Sequence, residues 1–266
     1  MKLCMRVRHS SEGGKVEMAE TSMEAVAGDT AAEPRKLVSF AHRQLREAIL
    51  TNAIPADSTI SQVQLAKHLG VSRTPLREAL RLLEHEGLAT VEVNKKVTVA
   101  NVSPEDLDAL YALRIQQESL AIFTSVQKAD QDRLDRSREH LEGMQSAIGD
   151  HDYVRWANHH RIFHMSLVDG VSDRFCKSIR QNFDHAERYR RIYVNESDTN
   201  WNQSQVDHQS IFNALVEGNP AAAAELLAGH YSHTAKGVLA AIDAGYTPEL
   251  MNAAVTMAIS LRFQQK

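Results

Sequence analysis

Cysteine is almost missing from these 266 residues: Cys4 and Cys176 stand alone and far apart. That excludes a disulfide framework and a thiolate metal spacing, and it suits a reducing compartment. Aromatic residues make up only 6%, and there are just 6 prolines and 12 glycines. So few turn formers and aromatic strand formers speak against a loop-rich or all-β fold and for a mainly helical one. No apolar run approaches the roughly 20 residues that span a bilayer, so no membrane partner is expected. The opening MKLCMRVRHSSEGG lacks the apolar stretch of a signal peptide, which points to a cytoplasmic location.

Net positive charge is also lacking, since the chain carries −4. That total hides an asymmetry. Between Arg35 and Ala100 there are ten Lys/Arg against six Asp/Glu, a local +4, which leaves −8 elsewhere. A basic module beside an acidic one fits a phosphate-binding unit joined to a unit with another task.

What is present sits between Ser61 and Gly87. Leu65, Ala66 and Leu69 recur at helical spacing, and Gly70-Val71 breaks the pattern. Ser72 is a fitting N-cap for a second helix, whose apolar stripe is Leu76, Leu80 and Leu83. Its other face carries Arg73, Thr74, Arg77 and Arg81. Two helices joined by a tight turn, one packed and basic on its far side, have the division of labour that a reader of the DNA major groove needs, although a plain helical hairpin with an exposed basic face shows the same pattern. Before them, 37–50 places Leu37, Phe40, Ala41, Leu45, Ala48 and Ile49 on one helical face. After them, Val91, Val93, Val97 and Val99 alternate with polar residues, the period of a short hairpin. Lys95 and Lys96 at its tip are placed for phosphate.

The words LAKHLGVSRTPLREALRLLEHEGL resemble the winged-helix DNA-binding domain of GntR-family bacterial transcription regulators. The resemblance implies a first helix at 37–50 and a wing at 89–100. The chain departs from the family at Lys96 and Ala56, where glycines are usual, and at Gln62 and Val63, where glutamate and often arginine stand.

Domain boundaries follow from composition. Residues 1–33 lack a hydrophobic period and read as a disordered tail. The winged helix-turn-helix, with its small β-hairpin wing, takes 34–101. A second, all-α helical bundle takes 102–243 and opens on Ser103-Pro104-Glu105, an N-cap followed by proline. Its helices are expected near 104–128, 130–148, 151–168, 172–195, 203–217 and 220–243. Residues 244–266 read as a C-terminal extension with room for a short helix.

The second domain is rich in histidine. His160 and His164 lie four apart on one helical face and can hold one ion together. His208 and His230 fall on two later helices that an antiparallel pairing can bring to the same ion. Spacing alone favours solvated side chains over a metal site. His9, His42, His85, His140 and His151 read as surface groups, with His159 and His233 as near alternatives to the four.

The words LYALRIQQESLA, FHMSLVDG and DHQSIFNALVEGNPAAAAELLAGH resemble the FCD effector domain of the FadR-type GntR branch. That resemblance implies a divalent metal on His164, His208 and His230. The family's aspartate falls on His160: either an all-nitrogen set results, which suits Zn or Ni better than Mn, or the site has lost its metal, as in family members without a complete ligand set. It further implies a small carboxylate effector gripped by Arg114, whose plainer role is an ion pair with Glu118. Arg188, Tyr189, Arg190 and Arg191 lie on a later helix, where at least one is expected to point inward; spacing does not decide which, and Arg188 is taken as the effector candidate. Asn213 is a further one, ahead of Asn158 and Asn182.

The expected function is a ligand-responsive regulator, a homodimeric repressor on a palindromic double-stranded operator. The alternatives are a constitutive DNA-binding dimer with no effector and a metal-dependent hydrolase. Against the hydrolase, no glutamate stands beside the histidine pair in the His-Glu-x-x-His manner.

Overall fold

A computed structural model of the chain describes residues 7–8, 17–18, 34–92, 96–196 and 198–261. It divides into two compact units, 1–102 and 103–266. The expected disorder of 1–33 lies outside the described residues, except for strands β1 (Val7–Arg8) and β2 (Glu17–Met18), which pair antiparallel.

The first unit holds α1 (Pro34–Leu50), β3 (Thr59–Ser61), α2 (Gln62–Leu69), α3 (Arg73–His85), β4 (Ala89–Val91) and β5 (Lys96–Val99). The turn between α2 and α3 works because Gly70 takes φ 64°, a left-handed conformation that a side chain disfavours. The apolar stripe of α3 is fully used: Leu76, Leu80 and Leu83 are at most 1% exposed and share a core with Leu45, Ile49 and Leu65 of α1 and α2. Burial of each such leucine stabilises the unit by about 1.5–3 kcal/mol. Glu86, just past α3, accepts hydrogen bonds from Arg46 Nε at 3.0 Å and His42 Nε2 at 2.7 Å, tying it to α1. His42 is thus a paired group rather than the free surface group that its spacing suggested.

The wing has one strand more than expected. β5 lies between β4 and β3, both antiparallel to it, with Ile60 opposite Val97 and Val91 opposite Val97 on the other side. Thr59-Ile60-Ser61 is too short to announce itself by periodicity. It is a strand because Ile60 is buried between polar neighbours while Ser61 caps α2 by accepting from Val63 N.

The second unit is a bundle: α4 (Pro104–Ser125), a 3-10 turn at Val126–Lys128, α5 (Gln131–Gly149), α6 (Tyr153–Leu167), α7 (Asp173–His185), α8 (Glu187–Glu196), α9 (Asp198–Val216), α10 (Pro220–Ile242) and α11 (Glu249–Ser260). The single helix expected at 172–195 is two, broken at Ala186, and α9 starts several residues before the expected 203. Both breaks fall where polar residues run on without glycine or proline to mark a stop. Arg133 of α5 locks the ends of two neighbours. Its guanidinium donates to Ser125 O, Ser166 O and Leu167 O at 3.0, 2.8 and 2.6 Å. These are terminal carbonyls with no partner inside their own helices.

The C-terminal extension belongs to the bundle. α11 buries Met251, Ala254 and Ala258 and packs on α4 and α10. Its N-terminus is capped from a distance: buried Asp108 of α4 accepts from Met251 N at 2.7 Å and Leu250 N at 3.2 Å. Asp108→Ala is expected to cost about 1.5–3 kcal/mol, the range for charged hydrogen bonds. Amide exchange at Met251 to Ala258 should accelerate well before global unfolding. Unchanged protection there would show that apolar packing alone docks α11.

Candidate functional site

Two surfaces carry the predicted chemistry, one in each unit. On the first, Arg73, Thr74, Arg77 and Arg81 of α3 are all exposed, since the buried stripe uses the opposite face. Arg81 pairs with Glu78 at 2.9 Å, while Arg73 and Arg77 have no ion-pair partner among the described residues. The three arginines line a groove shared with Gln62 and Val63 of α2 and with Val91 and Glu92 of the wing. Ser72 occupies the N-cap with extended backbone, but its hydroxyl makes no capping bond. Lys96 is exposed at the start of β5, opposite Ser61. Lys95 lies outside the described residues.

In the second unit, His160, His164, His208 and His230 come together from α6, α9 and α10. One nitrogen from each lies within 4.8 Å of the others, and all four residues are buried. The helical spacing of four puts His160 directly over His164, ring centroids 4.3 Å apart. Trp156, one further turn back, stacks on His160 at 4.5 Å and fixes its plane. His164 Nε2 and His208 Nε2 are 3.1 Å apart.

The hydrogen-bond network orients these rings. Burial pushes the Tyr231 phenol far above its ordinary range, so it stays protonated. It donates to Glu118 Oε2 and accepts from His164 Nδ1 at 2.9 Å. The His164 proton therefore sits on Nδ1, and Nε2 is left as a bare lone pair. His230 Nδ1 faces Asp207 Oδ2 at 3.4 Å, which orients that ring in the same sense. Burial, and secondarily the neighbouring charges, hold His160, His164 and His208 well below the usual 6.5, and burial lowers His230 also. All four are neutral near pH 7, the form in which imidazole binds metal.

Beside the cluster lies a small cavity lined by Arg114 and Arg190. Arg114 is 1% exposed, and its Nε donates to Glu118 Oε1 at 2.9 Å, so the ion pair with Glu118 and the cavity position coexist. Its guanidinium carbon stands 4.0 Å from the Tyr231 ring centroid.

Two expected effector residues lie away from this cavity. Arg188 is half-buried and does not line the cavity, whereas Arg190, two positions on, is 4% exposed and does. Two helical steps turn a side chain by about 200°, so only one of the pair can face inward. Asn213 is exposed and accepts from Gln209 at 2.9 Å. It lies about 140° around α9 from inward-facing His208. Sequence reasoning also missed Tyr193, which is 6% exposed on α8 and lines the same cavity. A signal existed in Gly237 of α10, where a Cβ would come within 2.4 Å of the Tyr193 ring. His140, read as a surface group, instead meets His159 with Nδ1 atoms 3.0 Å apart.

Among the described residues, no helix is long and apolar enough to cross a membrane. Comparison with known proteins places both units. Residues 37–99 match the bacterial regulatory proteins of the gntR family, and residues 109–233 match the FCD domain. The chain is 28% identical over 208 residues to the uncharacterized HTH-type transcriptional regulator YdhC of Bacillus subtilis, covering 77% of this chain and 92% of that one. It is 25% identical over 197 residues to the HTH-type transcriptional repressor GlaR of Escherichia coli, covering 71% and 90%. The solved structure of E. coli McbR/YncC shares the fold with a TM-score of 0.69 at 20% identity, over 78% of this chain and 99% of that one. This chain belongs to the GntR family of bacterial transcription regulators with a C-terminal FCD domain, and it is a DNA-binding regulator rather than an enzyme.

Proposed function

We propose that the chain is a homodimeric, cytoplasmic repressor whose helical unit senses a small carboxylate beside a divalent metal. The observation that carries this reading is the meeting of four buried histidines in a chain whose other unit exposes a basic recognition helix. A repressor's name on the GlaR relative supports the sign of regulation.

The residues fit a metal on three counts. Both nitrogens of His160 are buried without a hydrogen-bond partner among the described residues, a costly state that ligation through one of them relieves in part. The 3.1 Å between His164 Nε2 and His208 Nε2 suits two ligands of one ion. Nitrogens ~2.0–2.1 Å from a zinc ion, at ordinary bond angles, lie about 2.9–3.4 Å apart. Donors that are all imidazole favour Zn or Ni over Mn. When bound, the metal supplies a Lewis acid for a ligand oxygen. Arg114 then orients the ligand's carboxylate through its Nη2, which has no partner among the described residues.

On the DNA side, Arg73 and Arg77 reach base edges at the start of α3, and Ser72, Arg81, Lys95 and Lys96 meet phosphates. Two-fold symmetry of the dimer matches a palindromic operator. Effector binding favours a dimer geometry in which the two recognition helices no longer fit the half-site spacing. The shift can be no larger than the effector's differential affinity for the two states.

Three measurements test this reading. Elemental analysis of purified, chelator-free protein is expected to give about one Zn or Ni per chain, lost in His164→Ala/His208→Ala. Absence of metal from the wild-type chain would sink the metal reading. Next, the folded imidazoles resist protonation, whereas those of the unfolded chain take up protons as pH falls through about 6.5. The unfolded state then binds more protons, so stability present above that pH is lost below it. Each imidazole contributes at most about 1.4 kcal/mol per pH unit. The urea midpoint of metal-stripped protein should therefore fall steeply from about pH 6.5 downward, and a flat profile would mean solvated rings. Finally, Arg73→Ala should weaken operator binding by about 1–3 kcal/mol and relax specificity at one base pair. Equal loss on random DNA would assign Arg73 to phosphate.

A further inference from the structure

The cavity beside the histidine cluster is unusual in its polarity. Tyr111, Arg114, Trp156, His160 and Arg190 all line it, and all five carry buried polar atoms with no partner among the described residues. The donors are Tyr111 Oη, Arg114 Nη2, Trp156 Nε1, and Nε and Nη1 of Arg190. Their residues are at most 4% exposed. Each buried donor left unpaired costs about 1–3 kcal/mol, and more when charged. Gathered on one cavity, they specify a ligand rich in acceptor oxygens.

The two guanidiniums are held alike and separately. Arg114 is anchored through Nε to Glu118, one turn along α4. Arg190 is anchored through Nη2 to Glu187, one turn back on α8. Both stand against the ring of Phe183, at 5.0 and 4.5 Å from its centroid. Each carboxylate partner occupies one edge of its guanidinium and leaves further N–H groups toward the cavity. A ligand carboxylate offers about four lone-pair sites, and contact with a metal uses part of them. One carboxylate therefore cannot serve both guanidiniums, the indole and the phenol.

We infer that the ligand is a short dicarboxylate, with one carboxyl shared between the histidine cluster and Arg114 and the second held by Arg190. This rests on the carboxylate-sensing reading above and adds a selectivity residue to it. The cavity also bears on size. The cavity has room for about one water molecule. A diacid exceeds that space, so binding requires the lining to give way, and each added methylene raises that demand, which favours a short carbon chain.

The test is calorimetry on full-length, metal-loaded protein with malonate against propionate and succinate against butyrate, pairs matched in carbon number. At least one diacid is expected to bind about tenfold or more tighter than its monoacid, a difference of one decade in Kd. Arg190→Gln should lose that advantage while weakening the monoacid less than about twofold. Arg190→Lys, which keeps the charge but not the fork, should fall between. Thermal melts of both variants establish that they are folded. Equal affinity for diacids and monoacids overturns the inference and leaves carboxylate sensing intact. Equal weakening of both classes by Arg190→Gln assigns Arg190 to the fold and overturns it too. Binding of none of the four acids overturns this inference and the carboxylate reading together.

Discussion

Four imidazoles packed ring to ring inside a helical bundle can coexist only if they stay uncharged. Their centroids are 4.3 to 5.4 Å apart where they meet. A single proton there would face three neighbouring rings, Arg114 and Arg190, with little water to screen it. Much of the bundle's polar interior follows from that constraint. Tyr231 holds the His164 proton on the ring's outer nitrogen, Glu118 holds the Tyr231 proton, and Arg114 neutralises Glu118. The chain of contacts runs from α6 through α10 to α4, so the orientation of one ring is set by three helices.

The two units treat arginine in opposite ways, and the difference separates their tasks. Arg73 and Arg77 are exposed without ion pairs among the described residues, hydrated and ready to trade water for phosphate or a base edge. Arg114 and Arg190 are buried, each held by its own carboxylate and stacked against aromatic rings. An exposed cation attracts any polyanion and selects weakly. A buried one has already lost its water, so it tolerates only a partner that restores its hydrogen bonds.

Much of this was legible in the sequence. The helix-turn-helix showed because Leu76, Leu80 and Leu83 keep one helical period while the arginines keep another. The histidine cluster showed in part because His160 and His164 are one turn apart. That His208 and His230 complete it depends on how α9 and α10 pack, which no local period reveals. Arg190 and Tyr193 were hidden for a related reason. In their run, ERYRRIY, Tyr189 and Tyr193 stand one turn apart, a stripe too short among four charged residues to show which arginine turns inward. The inward face is chosen by Gly237 on another helix, where the missing side chain admits Tyr193. Asp108 was likewise silent, because its partners are backbone amides more than 140 residues away.

Where the chain departs from its family, the departure has a physical consequence. An aspartate at position 160, the residue the family resemblance places there, would bring a negative charge and acceptor oxygens to the cavity wall. It would stand one helical turn from the Trp156 indole and share the cavity with Arg190. His160 removes that charge and offers one lone pair at most when neutral. Trp156 Nε1 and two nitrogens of Arg190, which share that cavity, are among the donors with no partner among the described residues. With histidine at 160 in place of aspartate, the cavity wall therefore has one carboxylate fewer to set against its buried donors.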